Sequence, residues 1–128
     1  MKTQELRQGN LIYTDKHKDE VGVVRGFLRG RVFVSTNGGE LETDIENIHP
    51  IELSEEWLLD FGWKIQFVHK GVTSFIRHDT DYDSINLSEG RFYWNCWETT
   101  VNPTHVHLLQ NFHYANTGKE LNSARKEK

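Results

Sequence analysis

The sequence predicts a mainly β protein of the α+β type: an N-terminal SH3-like small barrel, then a helix, a four-stranded antiparallel β-meander and a C-terminal helix. Three observations predict it. Short apolar runs separated by turn signals fill the first fifty residues. One compact, well-capped helical segment follows at 53–62. From Trp63 the apolar pattern returns to a period of two until a last segment, 102–118, that reads as helix.

In the first stretch, LIYT (11–14) follows Gly9-Asn10, while VGVVRGF (21–27) and RVFV (31–34) flank a turn at Leu28-Arg29-Gly30. Asn37-Gly38-Gly39 is a strong turn signal, and ELETDIENI (40–48) follows it before His49-Pro50-Ile51. Five short strands joined so tightly predict a small curled sheet over 1–52. LSEEWLLDFG (53–62) carries Ser54 as a cap and Glu55 and Glu56 in the first turn, where acids complement the helix dipole. Trp57, Leu58 and Phe61 share its apolar face, and Gly62 suits its end.

The second module, 53–121, continues with KIQFVH (64–69) and TSFIRH (73–78), joined at Lys70-Gly71, and SINLS (84–88) and RFYWNCWETT (91–100), joined at Glu89-Gly90. In the last strand Phe92, Trp94 and Cys96 face one way while Tyr93, Asn95 and Trp97 face the other, so at least one side is core. NPTHVHLLQNFHYANTG (102–118) has Asn102 to cap it, Pro103 in the first turn and Gly118 at its stop. Its predicted core stripe is His105, Leu108, Leu109, Phe112 and Ala115, with His107, Gln110, Asn111 and Tyr114 opposite. No Asp, Glu, Lys or Arg occurs from 99 to 118. A helix back face with no charge implies contact with something: the barrel, another subunit or a ligand. The tail, 122–128, is expected to fray.

Bulk properties narrow the function classes. The chain has 128 residues and a net charge of −4, unevenly spread: +3 over 1–35, −8 over 36–62 and +1 over the rest. An acidic middle repels phosphate backbones and disfavours nucleic acid. A single cysteine forms no internal disulfide, no apolar run approaches a bilayer span, and the N-terminus lacks a signal-peptide stretch. The expected location is the cytoplasm, with no membrane partner.

Catalytic and metal motifs are sparse. His105 and His107 point to opposite sides of the helix, and His105 and His113 lie about 12 Å apart along it. DTDYDSINLSEG (79–90) begins like a calcium loop but has Ser84 and Gly90 where glycine and a bidentate glutamate belong. Cys96 sits mid-strand between tryptophans, as a small buried hydrophobe would. Neither a cofactor nor a metal is expected, and no enzyme reading is carried by these residues.

Three segments together, ELRQGN (5–10), LSEEWLLDFGW (53–63) and VHLLQNFHYANTGKEL (106–121), resemble a group of small proteins of unassigned activity from Bacteroidetes, their phages and mobile elements. There the segments read roughly ELRIGN, LTEEWLLKFGF and VHQLQNLYFALTGEEL. The resemblance covers about a quarter of the chain. It implies a shared fold and a phage or mobile-element origin, and it brings no catalytic residues.

The sequence thus predicts a non-enzymatic binding or regulatory protein acting by protein–protein contact, inhibition of a host factor being one form. Its partner is another protein or its own copy, as in a homodimer, met through His107, Gln110, Asn111 and Tyr114. The alternative is a nucleic-acid or nucleotide module using Arg25, Arg29, Arg31 and Arg91 with Tyr93 and Trp97 as a stacking surface.

Overall fold

The computed structural model describes the backbone of residues 6–15, 17–77, 80–96 and 99–121. The described chain is mainly β, with two five-stranded antiparallel sheets and two α-helices. It divides into two compact units, one of residues 1–52 with 105–128 and the other of 53–104. The sequence places the C-terminal helix in the second module, but the chain folds it into the first unit. The reason is a return of the chain at His105. His105 bridges to Glu52, and the Val106 N–H donates to the Ile51 carbonyl at 2.8 Å.

The first unit holds β1 (Leu11–Thr14), β2 (His17–Leu28), β3 (Arg31–Thr36), β4 (Gly39–Asp44) and β5 (Ile48–His49), in the order β4-β3-β2-β1-β5. A 3-10 turn, Ile45–Asn47, carries the chain from β4 to β5, which returns to pair antiparallel with β1. One sheet thereby curls around a core of Leu6, Ile12, Val24, Val32, Val34 and Ile48, with Leu41 and Ile45 at its margin. Alternation sends Ile12 into this core and Leu11 to the opposite face of β1, yet both are fully buried. Helix α2 (Val106–Thr117) packs on β1. At Gly22 in β2 a Cβ would lie 2.6 Å from Val34 Cγ1, so glycine is what allows β2 to press this closely on its neighbour.

Helix α2 begins three residues later than the sequence predicts, with His105 rather than Asn102 at the cap position. Its buried face is also rotated. Val106, His107, Leu109, Gln110 and His113 are buried, whereas Ala115 is exposed and Phe112 half-buried. Apolar periodicity fails here because polar side chains take places on the inner face.

The second unit begins with α1 (Glu55–Asp60), capped as expected by Ser54, whose Oγ accepts from the Trp57 N–H at 3.4 Å. Its sheet runs β10-β9-β8-β7-β6, a meander in strict chain order: β6 (Lys64–His69), β7 (Val72–Arg77), β8 (Thr80–Ser88), β9 (Arg91–Cys96) and β10 (Thr99–Val101). It has five strands rather than four, because 91–100 is two strands. Thr99 pairs back on Cys96 and Val101 on Trp94. Two hairpins turn at Lys70-Gly71 and Glu89-Gly90, and a third at Arg29-Gly30 in the first unit. Both central residues of each have positive φ, the primed geometry that matches the strands' twist. Trp57, Leu58, Phe61, Trp63, Phe75, Ile85 and Trp94 are buried. The Trp63 and Trp94 rings meet edge-on with centroids 5.9 Å apart.

Candidate functional site

The residues singled out on α2 are engaged within the first unit. Gln110 is 1% exposed, and its side-chain amide spans two backbone groups of the N-terminal segment. Its Oε1 accepts from the Leu11 N–H at 2.8 Å, and its Nε2 donates to the Gly9 carbonyl at 3.1 Å. Asn111 Oδ1 accepts from Asn10 Nδ2 at 2.9 Å and from Arg7 Nε at 3.1 Å. His107 is 2% exposed, with its ring 6.0 Å from that of His105. Tyr114 alone of the four is exposed, and the Arg7 guanidinium lies over its ring, 4.3 Å from the centroid.

The uncharged helix face is therefore a clamp on residues 7–11. An amide is the side chain for this task because it carries both a donor and an acceptor and can satisfy an N–H and a carbonyl together. The sequence reads this face as a contact for the barrel, another subunit or a ligand, and Gln110 and Asn111 contact residues of the first unit itself. Two of its four members, His107 and Gln110, have no surface to offer a second molecule. Arg7 completes the clamp through an ion pair with Glu120. Gly9 sits at φ +96°, where a Cβ would lie 2.9 Å from Glu120 Oε2.

The alternative set is divided between the two units. Arg25, Arg29 and Arg31 belong to the first unit, while Arg91 and Tyr93 belong to the second. Trp97 lies outside the described residues. Arg31 donates to Glu42 Oε2 at 2.8 Å and to Asp44 Oδ1 at 2.6 Å. The Glu42 hydrogen bond first, and that to Asp44 next, raise the already high pKa of its guanidinium. Two carboxylates thus offset the charge the basic hairpin would bring to a phosphate. Arg25 donates to Ser35 Oγ at 3.1 Å, Arg29 is exposed at the turn, and Arg91 is exposed at the start of β9.

The aromatic strand has one buried side, with Phe92 and Trp94 inside. Its other side, in register, runs from half-buried Tyr93 across Asn86 and Ser74 to Phe67 on β6. Within its sheet β6 pairs with β7 alone, and all six of its residues are exposed. Three of these are large and apolar: Ile65 at 50%, Phe67 at 51% and Val68 at 66%. A register shift between Ile65 and Phe67 pairs them with neighbouring residues of β7 and so sets them on opposite faces, and alternation sends Val68 to the face opposite Phe67. Lys64 and the bulge guard the first half of this edge, as edge strands commonly are guarded, whereas Phe67-Val68-His69 has no such protection.

The sequence itself carries a signal for this surface. In a meander following chain order, the first strand lies at an edge, and KIQFVH has two adjacent apolar residues where alternation allows one. Among the described residues no group of three His, Cys, Asp or Glu side chains is arranged to hold a metal. No helix among them is long and apolar enough to cross a membrane. Asp79, Asp81, Asp83 and Cys96 have no described side chains. Searches of protein-family models, curated proteins and solved structures find no match to the chain.

Proposed function

We propose that this chain is a non-enzymatic binding protein that recognises another protein along the open edge of its second sheet, at β6. The observation that carries the reading is the edge itself, a strand that among the described residues is paired on one side only, with exposed Ile65, Phe67 and Val68. An extended segment of a partner would add as a sixth strand. Main-chain hydrogen bonds would supply affinity, while Phe67 and Val68 on alternate faces would supply selectivity. The first unit, in this reading, is an SH3-like barrel. Its support is the strand path, four consecutive strands with a fifth returned to the first after a 3-10 turn. The resemblance to phage and mobile-element proteins supports a role against or alongside a host factor inside the cell.

The test is capture from a nuclease-treated lysate of the chain's native cell, using tagged wild type and a Phe67→Lys/Val68→Lys variant. The expected result is a stoichiometric protein held by the wild type and lost with the variant. Equal capture by both, or recovery of nucleic acid alone before nuclease treatment, would overturn the reading.

A further inference from the structure

The β6–β7 hairpin differs in charge from the chain that carries it. Residues 61–78 contain no Asp or Glu, while Lys64, Lys70 and Arg77 make the stretch +3 in a chain of net charge −4. In the first unit Arg7 is paired with Glu120, and Arg31 with Glu42 and Asp44. In the hairpin Arg77 lies against the Trp63 ring, 5.0 Å from its centroid. Lys64 and His69, at the two ends of β6, are exposed, and among the described residues neither makes an ion pair. Glu89 follows Ser88, the register partner of Val72, and so lies two strands in from β6, about 10 Å away. Register supplies a second observation. On one face Ile65 continues the row of Phe75, Ile85 and Trp94, and Val68 the row of Thr73, Leu87 and Phe92. Phe75, Ile85 and Trp94 are fully buried, yet both rows end in exposed side chains at β6. Lys64, Phe67 and His69 stand on the other face, opposite Ile76, Ser74 and Val72.

We propose that the occupant of the β6 edge is an extended acidic segment of a partner protein, apolar at its centre, with one carboxylate beside Lys64 and another beside His69. The inference rests on the edge reading and deepens it by naming the chemistry of the partner. Strand β4 does for Arg31 what the added strand would do for Lys64: it sets Asp44 directly opposite in register and Glu42 alongside. Such opposite-charge cross-strand pairs favour pairing, and like charges oppose it. The His69 imidazole carries an N–H for a carboxylate in either protonation state. Apolar residues of the segment would extend the rows that end at Ile65 and Val68, with another against Phe67. A second copy of this chain fits less well. Two β6 edges side by side bring only basic side chains together, and on the acidic edge strand β4 Glu42 and Asp44 already hold Arg31.

The 15N-labelled full chain is titrated at low salt with four peptides, following backbone amide shifts. Acetyl-TEVVVET-amide is expected to shift Lys64–His69 and to bind about fivefold tighter than acetyl-TQVVVQT-amide, the scale of two opposite-charge cross-strand pairs. Acetyl-TKVVVKT-amide should bind more weakly still. Acetyl-TESSSET-amide, with the acids but no apolar centre, should leave β6 unshifted. High salt should shrink the advantage of the glutamate peptide. Lys64→Glu should reverse the order, so that the lysine peptide binds more tightly than the glutamate peptide. If its spectrum shows that Lys64→Glu does not fold, Lys64→Gln/His69→Gln takes its place and should abolish the glutamate advantage.

Equal binding of the three valine peptides at β6, or an unchanged order in the Lys64 variant, overturns the inference and leaves the edge reading standing. Equal shifts from the serine and glutamate peptides, or tighter binding of a short oligothymidylate at the same amides, also overturn it, because charge alone would then suffice. Shifts of Lys64–His69 that grow with the concentration of the chain itself would replace the partner with a second copy. No shift at β6 with any peptide overturns the inference and the edge reading together.

Discussion

The clamp between α2 and residues 7–11 and the outer edge of β6 invert each other's chemistry. The clamp is polar, largely buried and hydrogen-bonded, with Gln110 fully inside. The β6 edge carries exposed Ile65, Phe67 and Val68 and, among the described residues, pairs along one side only. A polar group inside is worth keeping only where its loss would orphan a partner, and an apolar group outside needs no partner for the fold. The clamp therefore reads as architecture and the edge as a surface left free for another molecule. Substitutions in the two regions should separate stability from binding.

The largest expected effect is that of Gln110→Glu with Asn111→Lys. It places a carboxylate against the Gly9 carbonyl, strips the acceptor from Arg7 and Asn10, and buries charge, so a loss of about 4 kcal/mol is expected. Urea unfolding followed by circular dichroism measures it. Tryptophan fluorescence reports the other unit, because all four tryptophans fall within 53–104. Asn111→Ala removes only the shared acceptor and is expected to cost about 2 kcal/mol in the same assay. An unchanged midpoint for either variant would break the architectural reading of the clamp.

At the edge the expectations reverse. Phe67→Lys/Val68→Lys should change stability by no more than about 0.5 kcal/mol, because both positions are exposed, while eliminating partner capture. The smallest effect sharpens the comparison from the side of stability. Lys70 sits at φ +50° in the β6–β7 turn, and Lys70→Asn suits that left-handed conformation better. It should add about 0.5 kcal/mol by urea unfolding and leave capture intact. A loss of capture there would show that the turn, not the strand, carries recognition.

What the sequence discloses follows the range of the interactions involved. The three X-Gly hairpins and the Ser54 cap of α1 are local, and each appears where the residues predict it, whereas the predicted strands 40–48 and 91–100 are each broken in two. The assignment of α2 to the first unit is not local. It depends on hydrogen bonds spanning about a hundred positions, such as Gln110 to Leu11, and no periodicity encodes them. The wheel of α2 misleads for the same reason, because hydropathy sorts Gln110 to the outer face while Gln110 and His113 are inside. The N-terminal segment and α2 meet through Arg7, Asn10, Gln110, Asn111 and Glu120.

Backbone amide hydrogen exchange on the chain, alone and with its captured protein partner, tests the central claim most directly. The account predicts new protection concentrated at Phe67, Val68 and His69, with the Leu11 amide already slow before the partner is added. Protection gained instead around Tyr114 on α2, or at the Arg29 hairpin, with β6 unchanged, would contradict it.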